Sequence, residues 1–224
     1  TQATGGNHTD WQDVPGWDDM GYPIAECKAD GSFVLSKVEG TGGLITPGTV
    51  GEQMLYEIGD PRAYLLPDVS CDFSAVTMTQ AGPNRVAVDG ARGRPPTATY
   101  KVSTTYMDGF RCATSIMLGG RDAAAKAQRT GEAIFERTRR MFRERNLGDY
   151  RETRIETFGA EEMYGANTRA GDAREIVLKV SARHDQKEAL DLYALEIAQA
   201  ALGAAPGISV FQPGRARPVP VIRL

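Results

Sequence analysis

Two glycine-rich stretches near the front of the chain carry the residue types that could do chemistry. The first, TGGNHTDW over residues 4–11, sets Thr4, Gly5, Gly6 and Asn7 beside Asp10; the second, KVEGTGGLITPGTVGE over residues 37–52, sets Glu39 against Gly40, Thr41, Gly42 and Gly43. Glycine reaches positive φ at no steric cost and can leave its N–H exposed. Where such a turn runs into a helix, unpaired amides carry partial positive charge and can hold a carboxylate or phosphate. Thr46 or Thr49 is placed to cap the helix that follows, over residues 50–58. The pattern lacks the Gly-Lys-Ser/Thr ending of a P-loop and the strand-bounded G-x-G-x-x-G of a dinucleotide site. It therefore predicts either a generic oxyanion cradle or a tight strand-to-helix turn with no ligand.

Groups that could move protons lie close by in sequence. Glu39, Glu26 and Asp10 are the leading carboxylates, with Asp68 behind them, and Lys28 and Lys101 are cations that would lower a neighbouring carboxylate's pKa. Arg92 and Arg94, in GARGRPPT, could grip a carboxylate or phosphate with two parallel N–H donors, or pair with Asp89 or Asp60 on the surface. His8 and His184 are far apart with no triad spacing, and His184 reads as a surface residue near a helix start. Cys27, Cys71 and Cys112 are isolated, which suggests neither a zinc site nor a disulfide framework, so a reduced cytosol is the expected setting and no metal is predicted.

These residues need elements to position them. Residues 22–37 read as two short strands around Ala29-Asp30-Gly31, followed by the glycine turn and its helix. Residues 63–66 form a short apolar strand, and 74–80 with 85–89 form a hairpin across Ala81-Gly82-Pro83-Asn84. Residues 90–97 read as an irregular basic loop, and 100–117 as a strand interrupted near Asp108-Gly109. Residues 122–146 give the longest helix, stopped by Gly148, with Ile134, Met141 and Phe142 facing the core. Residues 151–158 and 175–183 read as strands, and 186–202 as a second long helix with Leu190, Tyr193, Ile197 and Ala201 inward. A tail with Pro213, Pro218 and Pro220 suits an extended edge. Without a strict βαβ repeat, the fold class is α/β or α+β, with a mixed sheet and two long helices in one domain spanning residues 1–224.

Composition narrows the partners. The chain has 224 residues, 41% hydrophobic, a net charge of -3 and a pI near 5.5. That size can bury a substantial core, and that charge argues against a general nucleic-acid binder. Arginines do gather between Arg129 and Arg145, but Glu132, Glu136 and Glu144 interleave with them at helical spacing, as on a solvated face. No apolar run approaches the roughly 18 residues of a membrane span, and no membrane partner is expected. The first residue is Thr1. It is either the start of a fragment or a processed N-terminus, and in the second case its α-amine could act as base for its own hydroxyl.

Several long strings in one order carry a resemblance: ATGGN followed by DW, GYPIAEC, GTGG followed by TP, EIGDPRAYLLPDV and GARGRPPTATYKV. They resemble the acyclic terpene utilisation (AtuA-like) family over nearly the whole chain. The resemblance implies that this chain is the C-terminal part of a longer protein, preceded by a Rossmann-type region. It also implies a place in bacterial breakdown of branched terpenoids of the citronellol and geraniol type, through acyl-CoA esters. Expected roles follow from it: a catabolic enzyme, a hydrolase, lyase or transferase of an acyl or acyl-CoA substrate, with no resident cofactor. The alternatives are a non-catalytic binding subunit associated with an acyl-CoA carboxylase, and an N-terminal-threonine hydrolase. On such a substrate, Thr4, Gly5, Gly6, Asn7, Gly40, Thr41, Gly42, Gly43, Arg92, Arg94 and Lys101 would bind anionic oxygens, and Glu39, Glu26 and Asp10 would move protons. A homo-oligomer is expected.

Overall fold

The structure is a computed structural model that describes the chain except residues 1, 6–10, 57, 101 and 211–213, and the side chains of 201 and 210. The chain forms two compact units, Thr1–Val102 and Ser103–Leu224. The class is α+β.

In the first unit the predicted hairpins form. β1 (Ile24–Cys27) and β2 (Phe33–Ser36) pair antiparallel around the turn closed by Gly31 N–H on the Lys28 carbonyl. α1 spans Pro47–Leu55, starting three residues before the helix expected from sequence. Its N-cap is reciprocal: Thr46 Oγ1 accepts from the Thr49 N–H at 3.3 Å while Thr49 Oγ1 accepts from the Thr46 N–H at 3.0 Å, and Pro47 opens the first turn. β3 (Tyr64–Leu65), β4 (Ser70–Asp72), β5 (Thr77–Gly82), β6 (Arg85–Asp89) and β7 (Arg92–Arg94) follow. They give an antiparallel sheet of order β1-β2-β6-β5 and a second, β3-β4-β7. Leu35, Ile45, Val50, Val86 and Val88 close a small core beneath the first sheet. The basic loop expected at residues 90–97 is in part the edge strand β7, because Arg92, Gly93 and Arg94 pair in register with Asp72, Cys71 and Ser70.

The second unit runs β8 (Tyr106–Gly119), α2 (Ala123–Glu144), β9 (Glu152–Phe158), β10 (Glu175–His184), α3 (Lys187–Gly203), β11 (Ile208–Val210) and β12 (Val219–Arg223). The sheet order is β11-β8-β10-β9, all antiparallel, with β12 also on β8. A β-α-β-β-α-β run with that order is the ferredoxin-like split βαβ arrangement. The named strands thus fall into three antiparallel sheets, where the sequence suggested one mixed sheet.

Period-two alternation explains the unit. β10 buries Ile176, Leu178, Val180, Ala182 and His184, and the first four pack with Cys112, Ile116 and Leu118 of β8 under Ile134, Phe135, Leu190, Tyr193 and Ile197 of the two helices. The long strand β8 is continuous through Asp108-Gly109, the expected break being a bulge: β12 shifts register there, and Gly109 takes φ +74 where a Cβ would lie 2.8 Å from the His184 carbonyl oxygen. α2 ends at Glu144, and the left-handed position that closes it is filled by Asn146, not by Gly148. Asn146 takes φ 55, its N–H bonds the Arg143 carbonyl at 3.3 Å, and Leu147 N–H bonds the Phe142 carbonyl at 3.0 Å, with Leu147 packed in the same cluster as Phe142.

Candidate functional site

The glycine turn is a packing joint. Gly42 N–H donates to the Asp19 carbonyl at 3.1 Å, Gly43 N–H to Pro15 at 2.7 Å, Leu44 N–H to Thr4 at 2.9 Å and Thr41 N–H to Val38 at 3.4 Å. Ile45 N–H donates to the Asn84 side chain at 3.0 Å. A Cβ on Gly42 would sit 1.8 Å from the Gly16 carbonyl oxygen, and one on Gly43 would sit 2.6 Å from that of Thr4. These glycines let three backbone segments touch, and their amides are satisfied by carbonyls. The expectation of an open anion cradle at Gly42 and Gly43 is corrected accordingly. Thr4 and Gly5 belong to the same joint: Thr4 is buried with its hydroxyl on the Gly21 carbonyl, and Thr49 Oγ1 donates to Ala3.

The other residues expected to bind or react are dispersed. Glu39 and Gly40 are exposed. Glu26 is exposed on β1 and held by both guanidinium nitrogens of Arg85, at 3.1 and 3.2 Å, where Lys28 had been a candidate partner. Arg92 is exposed on β7, and Arg94 lies 3.7 Å from Asp72 and donates to the Arg62 carbonyl. Gly6, Asn7, Asp10 and Lys101 lie outside the described residues, as does His8.

A site that the sequence reading missed lies on the face of the second unit's sheet away from the helices. Outward positions of β10 meet outward positions of both neighbours: Arg183 stands opposite Arg111 and Glu152, Ser181 opposite Ala113 and Arg154, and Lys179 opposite Ser115 and Glu156. All of these except Ser115 line a cavity of about 250 Å³. Glu156 is 8% exposed, with Oε2 2.8 Å from Lys179 Nζ and Oε1 3.6 Å from Arg154 Nε. The Lys179 contact is electrostatic, because Oε2 accepts no hydrogen bond of acceptable angle. Arg183 Nε is likewise buried without an acceptor. The exposed Arg111 side chain makes no ion pair or hydrogen bond among the described residues, although it directly faces another arginine. Like charges in that position repel, and of the two arginines only Arg111 has no carboxylate of its own among the described residues.

Next to this cavity Asp108, at the β8 bulge, collects Arg151 at 2.5 Å, Arg183 at 2.6 Å and Arg223. Hydrogen bonds from Arg151, then Arg183, then Arg223 hold its carboxyl down to about 2. Arg151 also reaches Asp185 at 2.6 Å, and Arg183 lies 3.8 Å from Glu152, so this node balances its own charge. It fixes Arg183 at the cavity wall.

Two buried groups behind the sheet are not reactive handles. Cys112 is 1% exposed, and burial, with a contribution from Asp191, pushes its thiol up to about 11. His184, expected at the surface, is 2% exposed. Its Nδ1 accepts from the Gln186 N–H at 2.9 Å, which places the ring proton on Nε2, with Phe142 packed edge-on at 5.4 Å between centroids. Its burial was legible as the last inward position of β10. The charged rows were half legible, since Lys179, Ser181 and Arg183 alternate with aliphatics, but nothing local said which strands would flank them.

Fold and site together define an α+β protein with a charged, partly unsatisfied cavity on an open antiparallel sheet. The chain belongs to the family described as acyclic terpene utilisation family protein AtuA, whose model matches residues 1–224. Searches of curated proteins and of solved structures each found no match. Among the described residues, no group of three or more His, Cys, Asp or Glu is placed to hold a metal ion, and no helix is long and apolar enough to cross a membrane.

Proposed function

We propose that this protein serves acyclic terpene utilisation by acting on a branched acyl or acyl-CoA substrate at the sheet cavity of its second unit. The observation that carries the reading is Glu156: a carboxylate 8% exposed, lining a cavity, with one oxygen accepting no hydrogen bond. In this account Arg111 and Arg183 hold an anionic oxygen of the ligand, and Glu156 accepts a proton from a bound water or from the carbon beside the thioester carbonyl. Lys179, across the strand, offsets the charge of the carboxylate before the transfer, and the same Glu156 returns the proton afterwards. The reading replaces Glu39 and the glycine turn as the reactive centre and keeps the acyl substrate.

The test is turnover of branched acyclic acyl-CoA esters. Glu156→Gln is expected to lower kcat by about 10² to 10⁴-fold with the fold retained, as for loss of a general base. Arg111→Gln is expected to raise KM by about tenfold. Unchanged turnover in both variants removes the assignment. Binding without any turnover in the parent protein assigns the non-catalytic, carrier-type role instead.

A further inference from the structure

A second cavity of the same unit, about 210 Å³, opens between α3, β8 and the segment carrying Arg215 and Ala216. Its floor is apolar and buried: Ile116, Ala194 and Ile197 are 4, 3 and 7% exposed. Ala194 and Ala198 stand one helical turn apart on α3, and their short side chains leave the trough open. Arg215 is exposed at the rim and has no ion pair or hydrogen bond among the described residues. Ile116 points to the helix side of the sheet and Glu156 to the opposite side, so the two cavities are separate.

Lining and size fix the class of ligand. Buried aliphatic carbon favours a hydrocarbon tail, and a lone guanidinium at the rim favours a carboxylate in two-pronged contact. An apolar cavity of about 150 Å³ holds benzene, and pockets for drug-sized ligands begin near 300 Å³. At about 210 Å³ the pocket suits an acid of somewhat more than six heavy atoms. We infer that it binds a short aliphatic carboxylic acid as the free anion, with its tail on Ile116, Ala194 and Ile197 and its carboxylate on Arg215. This site does not depend on Glu156 acting as a base.

The experiment uses the full chain, methyl-labelled for NMR and titrated with 4-methylpentanoate and with the neutral 4-methylpentanamide. Saturable shifts are expected at the methyls of Ile116, Ala194 and Ile197 with both ligands. Arg215→Gln should weaken the acid about tenfold and leave the amide unchanged, the selectivity expected of one lost charged hydrogen bond. Ala198→Phe should abolish both, with Ala198→Leu as the milder filling variant should the first fail to fold. Glu156→Gln should alter neither titration, which separates failure here from failure of the turnover assignment. Shifts that never saturate, acid binding indifferent to Arg215→Gln, binding that survives the filled pocket, or binding lost in Glu156→Gln would each overturn the inference.

Discussion

The glycine turn of the first unit and the outer sheet face of the second are both crowded with polar groups, and they treat those groups in opposite ways. In the turn, each of Gly42, Gly43 and Leu44 donates its N–H to a carbonyl from a distant stretch of the same unit. On the sheet face, Glu156 Oε2 and Arg183 Nε are buried without hydrogen bonds and Arg111 is unpaired. Glu156 Oε2 has only the charge of Lys179 beside it and Arg183 Nε has no acceptor, so this face keeps hydrogen-bonding capacity that a ligand can complete. A glycine-rich composition therefore marks close backbone approach as readily as it marks a ligand. What separates the two cases is whether the amides already have acceptors.

The sharpest way to break this contrast is to exchange the acids. Beside the loss of about 10² to 10⁴-fold expected for Glu156→Gln, Glu39→Gln should leave kcat within about twofold, because Glu39 is exposed and is not among the residues that line the cavity. A collapse of turnover in Glu39→Gln would restore the turn as the reactive centre. Next in size is Gly42→Ala. Its methyl meets the Gly16 carbonyl oxygen at 1.8 Å, so backbone must move, and urea denaturation should register a loss of about 3 kcal/mol. A neutral effect would mean that the joint has room for a ligand after all.

Smaller effects sharpen the same comparison. Thr46→Ala removes one half of a reciprocal cap whose other half is Thr49, and should cost about 1 kcal/mol in the same denaturation measurement. The sheet node should respond to acid. Asp108 has its folded pKa lowered to about 2 from an ordinary value of 3.8, so its contribution to stability is present above about pH 4 and lost as pH falls toward 2. Thermal midpoints recorded from pH 5 to pH 2 should fall less steeply in Asp108→Asn than in the parent. Equal slopes would show that the three arginines do not act through this carboxylate.

Much of the architecture was legible because it is local. The alternation of β10, the apolar stripe at Leu190, Tyr193 and Ile197, and the Thr46-Pro47 helix start are written in neighbouring residues, and each element formed close to its expected place. Helix ends were less legible: Asn146 took the left-handed position that Gly148 was expected to fill, since either residue tolerates positive φ. The basic segment at residues 90–97 became an edge strand because β4 was there to pair with Arg92 and Arg94, which no local pattern reveals. The candidate site was not legible in advance for the same reason. Arg111, Glu156 and Lys179 come from three strands whose adjacency is a property of the split βαβ topology.

By itself, the sequence determined the periods of its helices and strands and the membership of the acyclic terpene utilisation family, because these depend on residue order alone. Only the tertiary structure decided which polar groups remain unsatisfied. Hydrogen-bond satisfaction is settled by partners far apart in the chain, and the folded sheet both closes the amides of Gly42 and Gly43 and leaves Glu156 and Arg111 facing a cavity.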